Sequence, residues 1–199
     1  MRSKDAAELR SEVIPAARGV VLETGVGSGL NIPFYTDAVS RLYGVDPSGQ
    51  LLDMARRKAG GAPFPIDFLN HTAERVPLAD RDVDTAVMTW SLCSMADPLA
   101  VLREVKRVLK LDGTLIFVEH GLSPDLSVQA WQNRINPIWR RLAGGCNLTR
   151  RIDQVIRSAG FTIAELRTRY LPGPRTMTYT YEGIAHPTGD PPTQQPDCD

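Results

Sequence analysis

The sequence predicts an α/β fold, a doubly wound sheet that is parallel except at one edge, and three observations lead there. Short apolar runs alternate with segments of helical spacing along the 199 residues, which is the pattern of consecutive βα units. The first of these runs passes directly into a turn containing three glycines. The last two runs read as a closing antiparallel pair.

Taken in order, strands are predicted over residues 20–23, 41–46, 66–70 (the weakest), 85–89, 114–119, 161–167 and 177–185. Glu8, Val13 and Ile14 belong to an N-terminal helix, and Asn31-Ile32-Pro33 begins another just after the glycines. Leu51, Leu52 and Ala55 mark a helix after the second strand. Leu99, Leu102, Val105, Val108 and Leu109 form an apolar stripe at spacings of three and four, the signature of one buried helical face. Asp97-Pro98 supplies its N-cap and first helical residue, and Asp112-Gly113 turns the chain into the next strand. There is no internal repeat. One domain is expected over residues 1–185, and residues 186–199, rich in proline, threonine, glutamine and aspartate, are expected to be a disordered tail.

Composition narrows the function classes. Lys plus Arg equals Asp plus Glu at 23 each, so no general field favours nucleic acid, and none is expected as a partner. Cys93, Cys146 and Cys198 make neither a disulfide framework nor a Cys-x-x-Cys metal pair, which suits a reducing cytoplasm. The polar start and the lack of an apolar run near ~20 residues argue against secretion and against a transmembrane anchor.

The strongest chemical signal is Glu23-Thr24-Gly25-Val26-Gly27-Ser28-Gly29. Glycines at alternate positions let a ligand approach the backbone and expose amide N–H groups. The dinucleotide fingerprint needs its third glycine three residues after the second; here Gly29 follows Gly27 by two. A nicotinamide oxidoreductase is therefore disfavoured. Glu23 would repel a pyrophosphate but suits an ammonium and a sulfonium, as in S-adenosylmethionine. Nineteen residues beyond Gly27 the second strand ends at Asp46-Pro47-Ser48. Asp46 can accept both ribose hydroxyls there, with Ser48 free to cap the following helix.

With these elements in place, the chain resembles the class I S-adenosylmethionine-dependent methyltransferases over roughly residues 10–185. The likeness rests on Glu23-x-Gly25-x-Gly27-x-Gly29, Gly44-Val45-Asp46-Pro47-Ser48 and Ala73-Glu74-Arg75-Val76-Pro77-Leu78, followed by Asp82-Val83-Asp84-Thr85 and Leu111-Asp112-Gly113-Thr114. The resemblance implies a Rossmann-like seven-stranded sheet of order 3-2-1-4-5-7-6 with the seventh strand antiparallel. It places Glu23, Gly25, Gly27 and Gly29 at the methionine portion of the cofactor, Asp46 and Pro47 at the ribose, and Thr72, Ala73 and Glu74 at the adenine. Thr72 stands where many relatives have an aspartate, which shifts the adenine contact toward the Ala73 backbone N–H. A narrower likeness, carried by Ser91-Leu92-Cys93-Ser94, Phe117-Val118-Glu119-His120 and Gly145-Cys146-Asn147-Leu148-Thr149-Arg150, is to the branch containing thiol methyltransferases. Those relatives carry an apolar N-terminal anchor that this chain lacks, so membrane residence is not expected to carry over.

Methyl transfer from a sulfonium is an in-line displacement with a neutral leaving group, and needs no metal. Thr89 and Ser91 end the fourth strand and Glu119 and His120 the fifth, so all should face the cofactor. His120 reads as the general base or acceptor-positioning residue, or else as a histidine bonded to backbone at a strand end. Cys93 and Cys146 read as buried packing residues, Cys146 also as lining an acceptor pocket. Residues 127–142 place Trp131, Ile135, Ile138, Trp139 and Leu142 on one helical face, with Pro137 expected to kink or interrupt it. Core packing over the sheet is the leading reading of that face, ahead of a lid over an apolar acceptor and a membrane-surface helix. The expected acceptor is a small molecule, a thiol ahead of O-, N- or C-acceptors such as a quinone or phospholipid. The competing class is a protein that binds S-adenosylmethionine without turnover.

Overall fold

In the computed structural model, which describes residues 4–189, seven strands form one sheet of order β3-β2-β1-β4-β5-β7-β6. They are β1 (Gly19–Thr24), β2 (Val39–Val45), β3 (Ile66–Leu69), β4 (Val83–Thr89), β5 (Leu109–His120), β6 (Phe161–Tyr170) and β7 (Tyr179–Pro187). The first five pair in parallel, and β7 runs antiparallel to both β5 and β6. Helices α1 (Lys4–Val13), α2 (Gly49–Ala59), α3 (Pro98–Val108), α4 (Leu126–Leu142), α5 (Ile152–Ser158) and α6 (Arg175–Thr178) complete the fold.

Alternation along the central strands explains the double winding. Val21, Val87, Ile116 and Val118 join a core with Leu9 and Ile14 near α1 and with Ala55 of α2. Their neighbours Leu22, Ala86, Met88, Leu115 and Phe117 join a second core with Leu102 and Val105 of α3 and with Ile152 and Ile156 of α5. Successive strand residues point to opposite faces, so strands that are apolar throughout need a helical layer on each side. Asp97 caps α3 through the Ala100 amide at 2.9 Å, and Pro98 occupies the first turn, as the sequence predicts.

Several features depart from expectation, among them that Leu109, expected in the helical stripe, and Asp112-Gly113, expected as a turn, already belong to β5. The chain after the glycine turn makes only a 3₁₀ turn at Ile32–Phe34, not a helix, because residue 35 is already extended and β2 begins at Val39. Helix α5 was not foreseen, although Ile152, Val155 and Ile156 have the spacing of a buried face. The closing strand continues through His186 and Pro187, where the His186 Nδ1 stands 3.0 Å from the Gly113 carbonyl; the rest of the expected tail, from residue 190, lies outside the described residues. Helix α4 runs through Pro137 without interruption. Ile135 and Trp139, packed on the Cys93–Cys146–Leu148 cluster, and Asn136, bonded to Asn147 and Leu148, hold it on both sides of the proline. Finally, the apolar face of α4 is divided. Ile135 and Trp139 turn inward, whereas Trp131, Ile138 and Leu142 are exposed, so core packing accounts for only part of the stripe. Among the described residues no helix is long and apolar enough to cross a membrane.

Candidate active site

The carboxyl ends of β1, β2 and β4 converge on two adjoining recesses. Gly25, Gly27 and Gly29 all have positive φ, at 70°, 53° and 71°. At Gly27 a Cβ would meet nothing nearer than the Gly25 carbonyl oxygen at 3.9 Å, so that face of the loop opens into the cleft. Gly29 is different. A Cβ there would lie 2.7 Å from the Ile32 side chain and 3.1 Å from Ala55 of α2. Gly29 thus lets the loop close against α2, and it does not line the cleft as the sequence reading placed it.

Asp46, just beyond β2, is buried and holds the loop. Its Oδ2 accepts the Gly27 amide at 3.0 Å and its Oδ1 the Ser48 amide at 2.8 Å. Ser48 caps α2 through the Leu51 amide, which leaves the Asp46 carboxylate facing the cleft. That cleft has a volume of about 540 Å³ and is lined by Gly25, Gly27, Asp46, Pro47, Thr72, Ala73, Glu74 and Ser91, with Leu51, Trp90, Met95 and Gly144 supplying apolar or small surface. Ten of the eleven predicted cofactor residues therefore gather here or in the adjoining recess, which Glu23 and Thr89 line.

In that second recess Glu23 is only 2% exposed. It accepts hydrogen bonds from the Asn31 amide at 2.9 Å and the Tyr35 hydroxyl at 2.8 Å. Burial nevertheless dominates and pushes its carboxyl up to about 7, against the opposing pull of those bonds and of Arg10. Arg10 reaches over from α1, donates to Asn31 Oδ1 at 2.8 Å and lies 4.6 Å from the Trp90 ring centre. Trp90 itself has a φ of 48°, rare for a bulky residue and costing about 1–3 kcal/mol. Arg10, Asn31 and Tyr35 were not singled out as site residues from the sequence, and Trp90 entered only as part of the strand end at residues 89–91. Only proximity to the glycine loop, for Asn31 and Tyr35, was there to be read.

At the carboxyl end of β5, Glu119 and His120 separate in role. Glu119 is fully buried and its two oxygens accept the amides of Ser91, Leu92 and Cys93 at 2.8–3.0 Å. It therefore pins the 3₁₀ turn at Leu92–Ser94 instead of facing the cofactor. His120 is 7% exposed and its ring centre lies 6.3 Å from that of Trp90. Cys93 and Cys146 meet it there, with the three donor atoms within 4.8 Å of one another. The Gly145–Arg150 loop makes this meeting possible. Asn147 donates its amide to the Cys93 carbonyl at 2.9 Å, and Arg150 donates to the carbonyls of Leu92 and Met95. The hydrogen bond from Cys93, then the neighbouring His120 and Trp139, hold the Cys146 thiol well below its ordinary value despite burial. The same bond, burial and Glu119 push Cys93 up. No motif spacing announced this cluster, because its members come from three separate elements.

Comparison with known proteins agrees with this architecture. Residues 22–117 match a family described as a methyltransferase domain. The thiol S-methyltransferase TMT1B of Rattus norvegicus is 33% identical over 167 residues, covering 79% of this chain and 68% of that protein. TMT1B of Homo sapiens is 32% identical over 184 residues, covering 85% and 75%. Among solved structures, the YcgJ protein of Bacillus subtilis superposes with a TM-score of 0.73 over 94% of this chain and 99% of its own, at 16% identity. Geranyl diphosphate methyltransferase in complex with S-adenosylmethionine gives 0.68 over 94% and 86%, at 14% identity. The chain belongs to the class I S-adenosylmethionine-dependent methyltransferases, beside the thiol S-methyltransferase branch.

Proposed function

We propose that this enzyme methylates a small, uncharged thiol. The observation that carries the reading is the cleft's apolar lining by Trp90, Met95 and Gly144, with the Trp90 ring centre 6.3 Å from that of the buried His120; the similarity to thiol S-methyltransferases supports it. The residues fit the cofactor. Glu23 is a buried carboxyl whose ionised form an ammonium would stabilise, Asp46 is an acceptor for hydroxyls, and Gly27 leaves the space a side chain would fill.

S-adenosylmethionine supplies a methyl group on a positively charged sulfur. The chain's part is to hold an acceptor in line with that methyl, which is worth up to ~7–11 kcal/mol in well-oriented cases, and to remove one proton. A thiol near pKa ~8.5 needs only modest help to ionise, and in this reading His120 takes or directs that proton. The balance is simple: the S–H bond breaks, a new S–C bond forms, the sulfonium leaves as a neutral thioether, and one proton reaches solvent. Release of S-adenosylhomocysteine should be faster with small apolar thiols than with alcohols or amines of equal size. A protein that turns over the alcohols or amines and ignores every thiol refutes the acceptor assignment. No release with any acceptor class, despite measured cofactor binding, points instead to a non-catalytic binding protein.

A second reading concerns α4. Leu126, Trp131, Ile138 and Leu142 are 58–80% exposed on a helix whose Arg134, Arg140 and Arg141 are also exposed. An apolar face flanked by arginines suits peripheral contact with an anionic bilayer. Cosedimentation with phosphatidylserine vesicles, lost in Trp131→Asp/Ile138→Asp, is the expected result; no cosedimentation of the wild type rejects it.

A further inference from the structure

We propose that Cys93, His120 and Cys146 form a site for a borderline-soft divalent cation of the zinc type, with a fourth coordination position for the sulfur of the acceptor. The metal half stands on the geometry of the three residues; the acceptor half rests on the thiol reading above.

The donors come from the turn after β4, the end of β5 and the loop after α4, and all three are buried with their donor atoms within 4.8 Å of one another. Zinc–sulfur and zinc–nitrogen bonds of ~2.3 and ~2.0–2.1 Å at tetrahedral angles set neighbouring donors ~3.5–3.8 Å apart. A closure of about 1 Å, within reach of side-chain torsions, converts one arrangement into the other. Two thiols and an imidazole are the donor set for zinc and its soft neighbours, not for magnesium or calcium. Three protein donors, in place of four, are the pattern of a site with an open position.

The surroundings hold these donors in place. Glu119 fixes the amide of Cys93 and its two predecessors, the Cys93 carbonyl accepts the Asn147 amide, and Arg150 ties the same turn to the Cys146 loop. The buried Trp139 indole N–H, which no nitrogen or oxygen of the described residues accepts, lies beside the Cys146 sulfur. It is a ready donor to a thiolate ligand, the kind of outer contact that orients a metal ligand. Such a cluster is more than apolar packing asks for, and a disulfide would have no use for the imidazole.

Binding displaces one proton from each thiol, so two thiolates neutralise the divalent charge and His120 enters neutral. When an acceptor thiol takes the open position its S–H bond breaks, its proton goes to solvent, and a sulfur–metal bond forms. No electrons are transferred. Trp90, whose ring centre is 6.3 Å from that of His120, and Ser94, whose hydroxyl is 3.7 Å from the Cys93 sulfur, both line the large cleft, so the coordinated sulfur would enter from that side. His120 then acts as a ligand and the cation takes over thiol activation.

The test is a cobalt(II) titration of the reduced, chelator-treated full chain. One equivalent is expected, with visible absorption of tetrahedral cobalt and a thiolate-to-cobalt charge-transfer band, both removed by zinc. Cys146→Ser and, separately, Cys93→Ser should weaken binding by at least ~10²-fold, since loss even of an outer contact costs ~10–100-fold. Calorimetric titration with S-adenosylmethionine shows that each variant is folded. A small apolar thiol should then shift the visible bands. Absence of the charge-transfer band in the wild type, or its survival in a Cys93→Ser/Cys146→Ser variant, overturns the metal site. Bands that ignore added thiol overturn the acceptor half. A chelator-treated enzyme that methylates thiols at its full rate also overturns that half and leaves His120 as the base. If no thiol is methylated under any condition, the thiol reading has failed, and the cobalt spectrum still decides the site.

Discussion

Cofactor affinity should rise with pH through neutrality, and Glu23 is the reason. Burial holds its carboxyl at about 7 in the ligand-free protein, against an ordinary 4.5, a preference for the neutral form of about 3 kcal/mol. An ammonium group docked on Glu23 needs the ionised form. With the free carboxyl titrating near 7, its ionised fraction rises about tenfold between pH 6 and 8, and affinity for S-adenosylmethionine should increase several-fold between them, the ligand's own α-amino group beginning to lose its proton near pH 8. The same displacement has a consequence for the ligand-free fold. Its stabilising effect is complete below the unfolded carboxyl near 4.5 and is lost as pH rises through about 7. The assay is calorimetric titration at several pH values in buffers of different ionisation enthalpy, which also counts the proton released on binding. Glu23→Gln should flatten the pH profile and weaken binding at pH 8 by ~10–100-fold, the value of one hydrogen bond to a charged group. Because the amide oxygen cannot serve both Asn31 and Tyr35 as the carboxylate does, circular dichroism should accompany the titration. Constant wild-type affinity from pH 6 to 8, or an unchanged profile in Glu23→Gln, refutes the reasoning.

Other outcomes follow from the same geometry. Asp46→Ala should reduce cofactor affinity ~100-fold, since it removes an acceptor worth about 1.5–3 kcal/mol per bond and frees the Gly27 amide; an unchanged dissociation constant in calorimetry rejects the assignment. Gly27→Val should abolish binding with its far-ultraviolet circular dichroism spectrum retained, because the branched side chain enters the open cleft at a backbone φ of 53°. His120→Gln should slow thiol methylation ~10²–10⁴-fold near neutral pH, with the loss shrinking above the thiol pKa, and full activity at neutral pH removes His120 from the chemistry. Phe117→Ala, at a fully buried site on β5 in the core shared with α3 and α5, should cost about 3–5 kcal/mol in denaturant unfolding.

What could be read in advance divides along physical lines. The strands of the central sheet and the α3 stripe were legible because their signals are local: apolar runs, an Asp-Pro start, a glycine turn. The convergence of the glycine loop and the end of β2 was legible for the same reason, with Gly25, Gly27 and Asp46 arriving at one cleft. Gly29 was misplaced because a glycine that faces a ligand and one that admits a helix look identical in sequence. Residues 31–33 suggested a helix, but the short span to β2 left room for one turn. The Cys93–His120–Cys146 cluster and the Arg10–Trp90 contact were illegible because both are products of tertiary closure. On α4 the spacing was read correctly, yet spacing alone does not say which of two faces is covered, and Trp131 and Trp139 went opposite ways.

The reach of Arg10 makes the first helix part of the binding equilibrium. Helix α1 has 10 residues, too few to hold its shape alone in water. It is kept in place by Ala6, Leu9 and Val13 on the sheet and by Arg10, whose guanidinium spans Asn31 and Trp90 at the rim of the Glu23 recess. Anything that orders this recess must therefore also restrain the start of the chain, and anything that loosens the start must soften the recess, by the same free energy in both directions. Fraying of α1 and loosening of the recess are then two readings of one event. Amide exchange in residues 6–13, far from any transferred methyl, should slow in step with cofactor occupancy.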